Sequence, residues 1–183
     1  MRTNATRRHL AAIALTLAAA SGCSAFTAST PAPPTATPDP ATQPYPRGQF
    51  TVTQPKRALG VDLCALLPPP EKTTLVGPHP VVYPGSGGQC DLHGDHGDVL
   101  IGVNAYNVDV ASELDLSDRP GHRDTLSGNS AWVTPSSIGC FVQIAIDPEP
   151  HGLVLGLGGD GRFTCDQLRH AAQLVLDRLP PKP

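Results

Sequence analysis

Long apolar runs are scarce in this chain, and so are aromatic side chains. The longest apolar run, Leu10 to Ala20, has 11 residues. A membrane-spanning helix needs roughly 20. Aromatic residues make up 4% of the 183, with one tryptophan, so any core must be aliphatic and light. No Cys-x-x-Cys pair occurs, which disfavours a redox dithiol and the usual structural zinc sites. Basic residues are outnumbered, 13 Lys and Arg against 16 Asp and Glu. An acidic surface is a poor match for a phosphate backbone, so nucleic acid is an unsuitable partner.

Catalytic signatures are missing in the same way. Ser86 lies in Pro84-Gly85-Ser86-Gly87-Gly88, which is not the strand-turn-helix setting of a Gly-x-Ser-x-Gly nucleophile. The run Gly156 to Gly161 has no phosphate-loop lysine and reads as a hairpin or loop. Asp115, Asp118 and Asp124 are scattered acids, and His122, His151 and His170 read as solvated residues. The expectation is a protein that is not an enzyme and needs no cofactor.

What is present begins at the N-terminus. Arg2, Arg7 and Arg8 precede the apolar run, and Ala20-Ser21-Gly22 leads into Cys23. A basic start, a short apolar stretch and small residues make a secretory signal peptide. A cysteine after the small residues resembles a bacterial lipobox, with Ala20 where leucine is usual. Residues 1–22 are thus expected to be a signal peptide and Cys23 an acylated N-terminus. Two or more acyl chains anchor stably without a spanning helix. The arginine pair also has part of a twin-arginine signal, so the export route stays open. The first 22 residues hold three arginines and no acid, so the remainder carries 10 basic residues against 16 acidic, net −6. That balance disfavours broad adsorption to anionic lipid, which leaves the acyl group to hold the chain at the membrane.

Residues 23–55 are dominated by Ala, Thr, Ser and Pro. Too little apolar bulk is present to offset the entropy of ordering, and proline favours an extended backbone. This stretch is expected to be a tether lifting a domain, residues 56–183, away from the bilayer.

With Cys23 set aside, Cys64, Cys90, Cys140 and Cys165 remain. An even count in an exported domain reads as two disulfides, with three possible pairings. The sequential choice, Cys64–Cys90 and Cys140–Cys165, is favoured.

The periodicities give an α+β fold. Asp62 caps a short helix, Leu63 to Leu67, and Pro68-Pro69-Pro70 ends it. A second short helix starts near Pro70-Glu71-Lys72 and stops at Gly77-Pro78. A Pro- and Gly-rich loop follows through Gln89. Strands are expected at Asp98–Tyr106, Ala131–Thr134, Cys140–Ile146 and Leu153–Leu157, the last two as an antiparallel hairpin. Trp132, within the second of these, is expected to be core or half-buried. Thr164 and Gln167 make a capping box. Leu168, Ala171, Ala172, Val175, Leu176 and Leu179 then recur at helical spacing. This C-terminal helix should lie across an antiparallel sheet.

These features together resemble an actinobacterial lipoprotein family catalogued as domain of unknown function 3558. Asp62-Leu63-Cys64-Ala65-Leu66-Leu67 is similar to its opening Cys-x-Leu-Leu helix. Pro70-Glu71 through Gly77 is similar to its Pro-x-Glu helix ending in glycine. Cys90, Gly139-Cys140 and Cys165 before the Leu/Ala helix match in order. Leu92 departs, since the family often carries tryptophan there. The resemblance spans about residues 60–180 and implies location and architecture, with no catalytic residues to carry over.

The densest chemistry is Asp91-Leu92-His93-Gly94-Asp95-His96-Gly97-Asp98. Imidazoles and carboxylates suit a transition ion, so His93, Asp95, His96 and Asp98 are weak metal candidates. Their spacing fits neither a helical zinc motif nor a calcium loop, and a polar turn between strands is the simpler reading. The function expected is a lipid-anchored binding or interaction module on the outer face of the cell membrane. Its ligand would be an envelope protein, a lipid or a wall component. A metal-dependent or hydrolytic enzyme using His93–Asp98 is one alternative. A structural accessory subunit of a membrane complex is the other.

Overall fold

The computed structural model describes residues 39–43, 49–85, 88–104, 121–149 and 152–183. All of these fall in one compact unit, Thr37–Pro183. Cys23, the signal segment, Ser86, Tyr106, Asp115, Asp118 and His151 lie outside the described residues.

The fold is α+β, as the sequence predicts. A 3-10 turn, Leu63–Leu66, starts where the Asp62 carboxylate accepts from the Cys64 N–H at 2.9 Å. Helix α1, Pro69–Val76, begins with prolines, whose missing N–H costs nothing in a first turn. Gly77 ends it with φ +109°. Helix α2, Cys165–Arg178, has the full capping box. Thr164 accepts from the Gln167 N–H, and the Gln167 side chain accepts from the Thr164 N–H.

Seven strands form one antiparallel sheet: β1 Val81–Pro84, β2 Cys90–Gly94, β3 Gly97–Asn104, β4 His122–Leu126, β5 Asn129–Ser136, β6 Gly139–Ala145 and β7 Val154–Asp160. Their order is β1-β2-β3-β7-β6-β5-β4. The chain runs through β1, β2 and β3, restarts at the far edge with β4, and returns until β7 lies beside β3. The expected hairpin is β6 with β7, Cys140 opposite Gly159 and Ala145 opposite Val154. Strands β4 and β5 join through the two-residue turn Ser127-Gly128, both at positive φ. That is the hairpin turn whose twist matches flanking strands.

One face of the sheet carries the core. Leu92, Val99, Ile101, Leu157, Val142, Ile144 and Val133 point to it and meet Leu168, Ala171, Ala172, Val175 and Leu176 of α2. These α2 residues are buried. Both disulfides sit on this side. Cys64–Cys90 ties the 3-10 turn to β2, and Cys140–Cys165 ties β6 to the first turn of α2. The sequential pairing is the one observed. Each closes a loop of 26 or 25 residues, a constraint of about 3.5 kcal/mol in the chain-entropy model.

Four strands depart from the sequence reading. Strands β1, β2 and β4 fall where loop or turn was expected. Strand β7 continues through Gly156, Gly158 and Gly159 to Asp160, so the glycine run is strand rather than hairpin or loop. Pairing to the sheet also starts ahead of residue 56. The Thr51 N–H donates to Ser130 Oγ at 2.7 Å, and the Asn129 side chain both accepts from and donates to the Gln54 backbone. At the other end of the domain, the Lys182 N–H donates to Pro55 O at 3.0 Å. Chain entry and chain exit are thus stitched together.

Candidate functional site

Directly opposed residues of antiparallel strands point to the same face. The registers therefore trace rows across the face that α2 leaves uncovered. One row runs Tyr83, Asp91, Leu100, Gly158, Phe141, Thr134. The next runs Val81, His93, Asp98, with Asp160 at the end of β7 nearby.

These rows line an open cleft of about 290 Å³, bounded by Asp91, His93, Asp98, Leu100, Ile138, Phe141, Gly158 and Asp160. Its floor is set by Gly158. A Cβ there would lie 2.8 Å from the Phe141 ring, closer than carbon atoms pack. The missing side chain lets Phe141 lie across the strand. Apolar groups stand around it in water: Ile138 is 71% exposed, Tyr83 56%, Val81 48% and Leu100 44%. Tyr83 meets the His93 ring edge to face, centroids 5.1 Å apart. Isolated exposed apolar residues are ordinary, whereas here four stand together on one face.

The polar rim is acidic. His93 Nδ1 lies 3.0 Å from Asp98 Oδ1. Arg162 donates to the Asp160 carboxylate from Nη2 at 2.7 Å and from Nε at 3.1 Å. These hydrogen bonds hold the Asp160 carboxyl below its ordinary range and raise the Arg162 guanidinium. Asp91 makes no hydrogen bond or ion pair among the described residues.

The four metal candidates do not converge. His93 and Asp98 face each other across β2 and β3. Asp95 and His96 form the exposed turn between those strands, where the His96 N–H donates to Val76 O at the end of α1. Among the described residues no group of three His, Cys, Asp or Glu side chains is placed to hold a metal ion. The stretch is strand, turn, strand.

Other singled-out residues take structural positions. Asp124 reaches from β4 to Arg169 of α2, a contact distinct from any carboxylate pair. Burial opposes its ionisation, but Arg169 and the Thr125 N–H outweigh that and lower its pKa, while the Arg169 pKa is raised. His122 and His170 are exposed. Trp132 is buried, though on the helix-free face, packed with Ala145, Val154, Phe50 and Val52. Its Nε1, with Thr134 Oγ1 and Gln143 Oε1, is buried without a hydrogen-bond partner among the described residues. A second hollow of about 330 Å³ lies between α1 and α2, lined by Leu67, Leu75, Leu174, Glu71 and His170.

No sequence motif announces the cleft. Its residues come from β2, β3, β6 and β7 and from the turn holding Ile138, spread from residue 91 to residue 160. The only local signal was alternation, with Cys90 and Leu92 turned inward and Asp91 and His93 outward.

Fold and cleft together define a disulfide-linked sheet-and-helix domain that presents one open sheet face. Comparisons with protein-family models, with curated proteins and with solved structures found no match to this chain.

Proposed function

We propose that this protein is a non-enzymatic binding module, lipid-anchored through Cys23 on the extracytoplasmic face of the cell membrane. The observation that carries the binding role is the cleft. It is apolar, open and lined by Leu100, Phe141 and Ile138, with Tyr83 beside its Asp91 and His93, on a face that the helices leave free. Two disulfides suit an oxidising compartment outside the cytoplasm. Among the described residues no helix is long and apolar enough to cross a membrane, and an acyl group on Cys23 supplies the anchor in this reading. The resemblance to the domain of unknown function 3558 lipoproteins belongs to the same proposal. It draws on the order of Cys64, Cys90, Cys140 and Cys165 along the sheet and helix.

Two measurements in cells test it. Cys23→Ala should move the protein from the membrane fraction to the medium or leave an unprocessed precursor. Unchanged mass and unchanged membrane retention contradict lipidation. A Leu100→Asp, Ile138→Asp double variant should lose the crosslinked species formed by the parent at an unchanged expression level. An identical crosslinking pattern removes the cleft from the proposal.

A further inference from the structure

Resting on that reading, we infer that the cleft takes a positively charged amphiphilic peptide segment of an envelope protein. An apolar side chain would sit on Leu100, Phe141 and Gly158, and an adjacent lysine or arginine would lie between Tyr83 and Asp91.

Charge complementarity carries the choice of occupant. Asp91, Asp98 and Asp160 line the cleft, and among the described residues Arg162 is the one arginine or lysine bonded to any of them. That cation is taken up by Asp160. His93 stands against Asp98. Among the described residues Asp91 is left as a carboxylate with no partner, half-buried in the row between Tyr83 and Leu100. A cation there gains an ion pair with Asp91 and lies beside an aromatic ring that is 56% exposed. Among the described residues no lysine or arginine lines the cleft, and Arg169, Arg178 and Lys182 are paired elsewhere, with Asp124, Glu71 and Asp147. An anionic ligand would meet three carboxylates with Arg162 alone, already bonded to Asp160, to offset them. An anionic lipid surface is disfavoured for the same reason.

The sheet edge fixes how such a segment docks. Strand β1 is the edge beside the cleft and has four residues, Val81–Pro84, with Pro80 just before it. Prolines and shortness guard an edge against strand addition. Recognition therefore uses side chains on the face of the sheet instead of main-chain pairing along β1.

The test uses the full chain carrying Cys23→Ala, titrated calorimetrically in about 50 mM salt, where surface charge is weakly screened. Three probes are compared: a pool of hexapeptides mixing Lys and Arg with Ile, Leu and Val; the matched pool with Asp and Glu in place of the cations; and a tetramer of N-acetylglucosamine. The basic pool should bind, weaken as salt rises, and outbind the acidic pool by about tenfold or more. Asp91→Asn should weaken the basic pool about fivefold, as should Tyr83→Ala. Asp166→Asn removes the same charge on the helix side and should change nothing. Equal effects of Asp91→Asn and Asp166→Asn would reduce the attraction to overall charge and overturn the inference. So would equal binding of the two pools, no binding of the basic pool, or binding of the glycan alone. If the peptides fail while the crosslinks that depend on Leu100 and Ile138 persist in cells, the ligand class is wrong and the binding role stands. If both fail, the binding role falls too.

Discussion

The two faces of the sheet are built from the same strands and follow opposite rules. On the helix side every strand contributes an aliphatic or cysteine side chain to a buried core, and both disulfides lie there. On the other side the same strands present glycine, carboxylates, an imidazole and exposed apolar groups. A light core is enough because covalent links and one well-capped helix hold the first face. Outside the cluster around Trp132, the second face is free of packing duty, which leaves its cleft available for the proposed recognition. If that division is right, changes on one face should move stability and changes on the other should move binding.

The largest expected effect is on the covalent links. Replacing Cys140 and Cys165 by serine, or Cys64 and Cys90, should cost about 3.5 kcal/mol each time, read as a lower denaturant midpoint. A loss under about 1 kcal/mol would show that the helix face holds without its staples. Next comes the helix cap. Thr164→Ala removes the acceptor of the Gln167 N–H and should cost about 1 kcal/mol.

Acid should act on the same face, beyond the exposed Asp160–Arg162 pair of the other. The Glu71 carboxyl, bonded to Arg178, and the Asp124 carboxyl, bonded to Arg169, both titrate below their ordinary range in the folded protein. A depressed folded pKa adds stability above the unfolded value and loses it as pH falls through the folded one. Stability should be flat near neutrality and decline once the pH drops below about 4. Arg169→Gln should flatten part of that decline. An unchanged acid profile would show that Asp124 gains nothing from its partner.

The smallest expected effect on stability is the most informative contrast. Leu100→Ser and Ile138→Ser, on the open face, should change stability by no more than about 0.5 kcal/mol. A loss above about 2 kcal/mol would make these residues core and break the division between faces.

The helix-side face was largely legible in the sequence. Leu168 through Leu179 recur at helical spacing behind a capping box, and both strands of the β6–β7 hairpin carry apolar residues around a turn. The cysteine pairs followed from an even count and proximity along the chain. The open face was legible only in fragments. Strand β4 reads His-Arg-Asp-Thr-Leu, with one apolar residue to offer as a signal. Strand β2 hides its alternation behind acids, a histidine and a glycine, and β1 is short and bounded by proline. These strands are set by their neighbours' pairing more than by their own propensity. The cleft as a whole could not be read, although His93 and Asp98 on its rim stood out, because it exists only once β7 has been inserted between β3 and β6. Even then its floor depends on Gly158, which in sequence looks like loop.

The division between faces is tested most directly by placing a photoreactive residue, in intact cells, at position 138 in one strain and at position 166 in another. Ile138 borders the cleft and Asp166 lies exposed on the first turn of α2. The account predicts a discrete crosslinked adduct from position 138, suppressed by Asp91→Asn, and none from position 166. An adduct from position 166 with none from position 138 would place recognition on the helix face and contradict it.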